Sequence, residues 1–288
     1  MAATLDRYRG CLLGLAVGDA LGTTLESGGS LDLPLQPWTD DTSMALCLGT
    51  SLLAVPGFDA LDQMRRYLAW YERGYLSSRG VCFGIGHTTR QALERFRLTG
   101  DPWCGSADPR RAGNGSLMRL APVPMFYGRD RQQGIHWAGE SSRTTHGAEE
   151  CVDACRLLAA MLVAALQGEE KAAILAQPAD FLTSPSIQAL AQGQYRRKSR
   201  DDIHNSGYVV HSLEAALWCF WQSHSFGEAV QLAVSLGGDA DTIAAICGQL
   251  AGAFYGASGI PGAWLAGLAR QELISELAVA LFQASQTT

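Results

Sequence analysis

The chain has 288 residues, 47% of them apolar and 17% charged, with a formal net charge of −6. That length can bury one large core and lies near the size at which chains begin to split into domains. No lysine- or arginine-rich face is long enough to follow a phosphate backbone, so nucleic-acid binding as the main task is not expected. The longest basic cluster, Arg196, Arg197, Lys198 and Arg200, runs straight into Asp201 and Asp202 and reads as a solvated loop. No apolar run reaches the length needed to span a bilayer, and the start Met1-Ala2-Ala3-Thr4-Leu5-Asp6-Arg7 has no apolar signal core, so a cytoplasmic chain is expected. No low-complexity tract or Pro/Gly/Ser linker interrupts residues 1–288, which read as a single domain and a monomer. The eight cysteines include no Cys-x-x-Cys pair and read as reduced core residues.

Taken in chain order, the pattern is helical throughout. The first helix, roughly Leu5 to Leu21, carries Gly10, Gly14, Gly18 and Gly22 at a strict spacing of four. Glycine is unfavourable inside a helix, so this row predicts a face stripped of side chains against which another backbone packs. Next, Trp38-Thr39-Asp40-Asp41-Thr42 opens an apolar helix through Met44, Leu46 and Leu48. Val152, Cys155, Ala159, Leu162 and Leu166 then share one helical face, as do Leu213, Ala216, Leu217, Phe220 and Trp221. Finally, Gly237-Gly238-Asp239-Ala240-Asp241-Thr242 opens a helix through Ile243, Ile246 and Leu250. Irregular segments are expected near 23–38, 100–115, 127–147 and 195–208. Period-two runs of β-branched residues are nearly absent, so the fold class is all-α, an orthogonal bundle of many helices.

The chemistry concentrates in the two acidic helix starts. Asp and Thr are favoured N-caps, and carboxylates sit well at the positive end of a helix, so either cluster alone reads as capping. Together they hold more carboxylates than capping needs, and apolar helices follow each at once. Four such groups brought together repel one another unless a cation neutralises them. All-oxygen ligation suits a hard divalent cation, Mg²⁺ or Mn²⁺, and the set is enough to bridge two metals roughly 3.5–4 Å apart. Zinc fits less well, because the six histidines and the dispersed cysteines show no ligand spacing.

Several segments, in order and over nearly the whole chain, resemble the ADP-ribosylglycohydrolase family, whose bacterial members include those that reactivate ADP-ribosylated dinitrogenase reductase. They are Gly10 to Gly22 with Glu26 after it, Trp38 to Thr42, Gly113-Asn-Gly-Ser-Leu-Met-Arg119, Thr145-His146, Ser206-Gly-Tyr-Val209 and Leu236 to Thr242. The resemblance implies metal-dependent hydrolysis of the bond between ADP-ribose and a modified acceptor, an arginine-type protein side chain first among them. It implies two divalent cations, Mg²⁺ or Mn²⁺, held by Thr39, Asp40, Asp41, Asp239, Asp241 and Thr242. Glu26, Asp40 and Asp41 are expected to carry the catalytic step, with Glu26, on the loop after the first helix, as general base. Asn114, Gly115, Ser116, His146, Tyr208 and Gly238 are expected to bind substrate, Tyr208 by stacking on adenine, with Met118 and Arg119 behind them. The partner implied is an ADP-ribosylated protein or another ADP-ribosyl conjugate.

One position departs from the pattern. Nitrogenase-type members carry an Asp in a Cys-Phe-Asp-Ile-Gly segment, and here Cys82-Phe83-Gly84-Ile85-Gly86 places a glycine that can do no proton chemistry. Two other readings remain open at this stage: an inactive or weakly active ADP-ribose-binding or structural member of the family, and a two-metal phosphohydrolase.

Overall fold

The computed structural model describes residues 2–26, 28–29, 35–55 and 57–287, with part of the 23–38 segment outside the described residues. The helices are α1 (Ala2–Glu26), α2 (Asp40–Ala54), α3 (Ala60–Arg73), α4 (His87–Thr99), α5 (Pro122–Phe126), α6 (Arg131–Arg143) and α7 (Glu149–Gln167). The second half holds α8 (Lys171–Ile174), α9 (Pro185–Ala191), α10 (Val209–Gln222), α11 (Phe226–Ser235), α12 (Ala240–Tyr255), α13 (Gly262–Gly267) and α14 (Gln271–Ser285). Among the described residues no strand forms; two isolated bridges, Ser106–His146 and Gly113–Tyr208, tie the loops together. The all-α expectation holds, and none of the described helices is long and apolar enough to cross a membrane.

The glycine row on α1 does what its spacing predicts. A Cβ on Gly10 would strike the Gly252 carbonyl, one on Gly14 the Gly248 carbonyl and one on Gly18 the Ala244 carbonyl. On Gly22 it would strike the Asp241 backbone. The order is antiparallel, and Gly248 and Gly252 answer from α12 with their own missing side chains. Four glycines cost α1 about 1 kcal/mol each relative to alanine, offset by close-packed backbone on both sides. The consequence for function is positional: the C-terminal end of α1 is fixed against the N-terminal end of α12.

Around this seam the core is dense. Leu12, Leu15 and Leu21 of α1 are fully buried, and α7 is buried nearly all round, Arg156 being the partly exposed residue within Cys151–Leu166. Seven of the cysteines are buried and Cys82 is half-buried, all free thiols, in keeping with their reading as core hydrophobes. Two expectations are corrected. Residues 131–143 of the supposedly irregular 127–147 segment form α6, whose Gly139 lets the α7 side chains of Val152 and Arg156 come close. The basic cluster is also less solvated than read, since Arg196 lies 4.9 Å over the Trp221 ring and Lys198 pairs with Glu214 at 2.6 Å.

Candidate metal centre and substrate cleft

Both acidic helix starts are capped from α1 rather than by their own residues. Thr39, the residue before α2, makes no side-chain capping bond. Instead Asp19 accepts from the Thr39 amide at 2.9 Å, the Thr42 amide at 3.1 Å, the Thr39 hydroxyl at 2.9 Å and the Thr42 hydroxyl at 2.6 Å. At α12 the corresponding residue, Asp239, also makes no capping bond, and Glu26 Oε1 accepts from the Ala240 amide at 2.9 Å and the Asp241 amide at 3.2 Å. Capping therefore leaves the acids at 40, 41 and 239 free for other work; Asp241 receives only its neighbour, the Thr242 amide, at 2.7 Å. Glu26 is the last residue of α1 and not part of a following loop, because the helix continues past Leu21 to reach the α12 start.

The seam brings these acids together. Carboxylate oxygens of Asp19, Asp41 and Asp241 lie within 4.8 Å of one another. Asp41 is 1% exposed, and its Oδ1 has no hydrogen-bond partner. Burial, then the charges of neighbouring carboxylates, raises Asp40 to about 7 and Asp241 to about 8. Asp41 is raised well above the ordinary aspartate range by burial and by Asp19, Asp241, Asp40 and Asp239. Asp19 rises to about 6 through burial, held back by its hydrogen bonds from Thr42 and Thr39. An orphaned, buried carboxylate oxygen facing like charges is the environment that a hard divalent cation relieves. The residues present therefore fit such a group, with Asp19 added to the set. Asp19 was missed in the sequence because it is a lone carboxylate; its signal is that it stands alone in the apolar run Cys11–Leu21.

A cavity of about 280 Å³ opens over the acids, lined by Asp40, Asp239, Asp241 and Thr242 on its floor and by Asn114 and His146 on its wall. Asn114 Nδ2 donates to Asp239 at 2.5 Å and to the Ser212 hydroxyl at 2.8 Å, so the loop and the α12 start move as one. Gly115 makes room for His146, whose ring a Cβ there would meet at 2.8 Å. Gly84 also lines the cavity; its φ is +82°, and a Cβ would lie 2.6 Å from Asp40 Oδ1.

Glu26, Thr39 and Asp41 lie outside the cavity lining, and three of the residues expected to bind substrate also stand elsewhere. Ser116 is buried behind the loop, accepting from the Ser142 hydroxyl at 2.8 Å and the Cys155 thiol at 3.5 Å. Tyr208 lines a neighbouring concavity with Glu150, Pro109 and Pro185, while Gly207 beside it faces the cleft. Extended backbone at the Gly113–Tyr208 bridge sends successive residues to opposite sides, which explains the split. Gly238, with φ +64°, packs on the Asn205 backbone, letting the Asp239 amide donate to the Asn205 carbonyl at 2.9 Å. It shapes the loop without lining the cavity.

Known proteins resemble this chain over nearly its whole length. Residues 1–288 match the family described as ADP-ribosylglycohydrolase. The chain is 45% identical to the ADP-ribosylarginine hydrolase Tri1 of Pseudomonas putida (strain GB-1), over 96% of this chain and 78% of that protein. It is 32% identical to the ADP-ribosyl-[dinitrogen reductase] glycohydrolase of Rhodospirillum rubrum, over 91% of this chain and 90% of the relative. A solved structure described as an ADP-ribosylglycohydrolase-related protein complex superimposes with a TM-score of 0.85 at 42% identity, covering 99% of this chain and 100% of that one. The chain belongs to the ADP-ribosylglycohydrolase family.

Proposed function

We propose that this protein hydrolyses the glycosidic bond joining ADP-ribose to an arginine-type acceptor and releases ADP-ribose. The observation that carries the reading is the acid cluster of Asp19, Asp41 and Asp241, with its unpartnered Asp41 oxygen, joined through Asp241 to a polar cleft that Asp40 and Asp239 also line. The 45% identity to a relative named as an ADP-ribosylarginine hydrolase supports the arginine linkage. Thr39, Asp40, Asp41, Asp239, Asp241 and Thr242 would hold two divalent cations, Mg²⁺ or Mn²⁺, with Asp19 fixing the α2 side. Such ions supply a grip on sugar hydroxyls and a more acidic water.

The chain's own residues account for the rest. Cleavage passes through an oxocarbenium-like state and needs a carboxyl to manage the proton. Gly84 has no group for that task, so we assign it to Glu26. Two amides fix its Oε1, Oε2 makes no hydrogen bond among the described residues, and its charge is close enough to raise both Asp239 and Asp241. Asn114 and His146 hold the substrate on the cleft wall.

The test is release of ADP-ribose from arginine-linked and serine-linked conjugates with Mg²⁺, with Mn²⁺ and after chelation. Metal-dependent release from the arginine linkage is expected. Release of phosphate or AMP in its place would overturn the reading in favour of a phosphohydrolase, and binding of ADP-ribose without release in favour of an inactive binding protein.

A further inference from the structure

Arg119 is wholly buried, and no carboxylate pairs with it among the described residues. Its guanidinium lies 4.5 Å over the Tyr67 ring, its Nε has no partner, and Nη2 makes its shortest bond, 2.7 Å, to the Thr145 hydroxyl. A buried guanidinium without an anion is costly, and this one is spent on a threonine. The same hydroxyl lies 2.8 Å from His146 Nδ1.

The donor inventory favours one direction for that second bond. Arginine donates only, so the Thr145 oxygen accepts from Arg119. Its hydroxyl proton then has one acceptor in reach, Nδ1, since Arg119 and His146 are the partners of that hydroxyl. An Nδ1–H there would leave that hydroxyl proton buried without an acceptor, so the arrangement favours an unprotonated Nδ1 and the proton on Nε2. His146 is 2% exposed and lines the cleft, and its Nε2 lies by Gly113 and Gly115 without a hydrogen bond to the described residues. A second proton on the ring would set Nδ1–H against a hydroxyl that could no longer donate, beside the Arg119 charge. Burial first, and Arg119 second, push the imidazolium down to about 3. The other titratable groups lining the cleft are Asp40, His87, Asp239 and Asp241.

Resting on the functional reading above for the identity of the ligand, we propose that Arg119 is a positioning residue. Through Thr145 it holds His146 as the neutral Nε2–H tautomer, a fixed hydrogen-bond donor aimed into the cleft at an oxygen of the bound ADP-ribosyl group. His146 so held selects an oxygen acceptor at all working pH values and takes no part in proton transfer.

The tautomer is read without substrate, from ring ¹⁵N resonances of histidine-labelled protein between pH 5.5 and 9, with His146→Gln to assign the signal. The expected wild-type pattern is Nε2–H, with no titration in that range. Arg119→Met should release the lock, so that both tautomers appear or the ring titrates; Thr145→Val should do the same and Thr145→Ser should keep the wild-type pattern. With ADP-ribosylarginine as substrate, Thr145→Val should raise KM by roughly 2- to 10-fold, as the share of the ring in the Nε2–H form falls, with kcat much less affected. An Nδ1–H tautomer, a wild-type ring titrating near about 6.5, or an Arg119→Met ring identical to wild type would overturn the proposal. If a variant fails to fold, the wild-type spectrum still decides the tautomer. Absence of hydrolysis would sink the functional reading without touching the tautomer.

Discussion

The starts of α2 and α12 solve the same problem with different degrees of exposure. At α2 the capping carboxylate, Asp19, is fully buried and accepts from two amides and two hydroxyls, and Asp40 and Asp41 are buried with it. At α12 the cap is the exposed Glu26, using one oxygen, and Asp239 and Asp241 are only half-buried behind a loop turned by Gly237 and Gly238. The α2 side is thus the more buried socket, reaching the cleft through Asp40, and the α12 side opens onto the cleft through Asp239, Asp241 and Thr242. Both caps come from one helix, so a single element sets the distance between the two acid pairs.

Breaking that element should have the largest effect. Gly18→Ala would drive a methyl into the Ala244 carbonyl, with backbone on both sides and no flexible side chain to yield. Overpacking costs typically about 1–3 kcal/mol and this rigid contact lies at or above the upper end. Gly262→Ala, where nothing lies within 4 Å of the new methyl, is the control and should leave the melting temperature unchanged. Equal stability of the two variants in urea titrations would show that the seam is looser than its carbonyl contacts imply.

The caps themselves should separate stability from chemistry. Asp19→Ala strands the buried Thr39 and Thr42 amides and should cost about 2–6 kcal/mol, at 1–3 kcal/mol for each buried group left unpaired. Glu26→Ala removes an exposed cap and should cost no more than about 1 kcal/mol. Turnover should rank the other way for a gentle change: Glu26→Gln keeps an oxygen for the amides yet should lose on the order of 10²–10⁴ in kcat if it manages the proton. Full activity in Glu26→Gln would remove it from the mechanism and leave only its capping role.

The charge cluster predicts how pH acts on the cation-free chain. Asp19, Asp40 and Asp241 ionise in the folded chain at about 6, 7 and 8, above their unfolded values. The folded state therefore holds more protons than the unfolded state across the intervening range. Stability from this source is fully present below the ordinary aspartate value of 3.8, falls as pH rises above it, and is gone once pH passes about 8. Thermal melts in chelator should fall over that window. On the proposed function, saturating Mg²⁺ should oppose the fall, because the cation would bind the ionised carboxylates. Asp41 feels Asp19, Asp40, Asp239 and Asp241, so Asp41→Asn should raise the melting temperature of the chelated chain near pH 8. A flat melt profile in chelator would show that the acids do not share one buried field.

How much of this was legible in the sequence follows from the range of the forces involved. The glycine row and the two acid clusters are local patterns; the row makes the close seam its spacing predicts, and the seam brings carboxylates from both clusters together. Asp19 was not legible, because its partners lie 20 and 23 residues away and only the α1–α12 seam decides which side of α1 faces them. Tyr208 and Ser116 fell on the wrong side for a subtler reason: alternate residues of an extended or turning segment point apart, and a motif names the segment without naming its face. The helix at 131–143 was hidden by Gly134, Gly139, Ser141 and Ser142, poor helix formers that are tolerated because α7 packs on that face.

The smallest expected effect sharpens the comparison where the socket meets the cleft. Gly84 has φ +82°, which disfavours any other residue, and faces Asp40 Oδ1 at a distance no methyl could keep. Gly84→Ala should cost about 1–2 kcal/mol through the left-handed backbone, while pushing Asp40, on the more buried side, out of register. The readout that separates these is Mg²⁺ affinity by calorimetry. Strain alone would lower the melting temperature and leave affinity intact, whereas displacement of Asp40 should weaken binding several-fold. Gly84→Asp should weaken it further, since it adds a carboxylate against a group already crowded by Asp19 and Asp239. Unaltered affinity in both variants would mean that Asp40 has room to move, and that the α2 side is less rigid than its burial indicates.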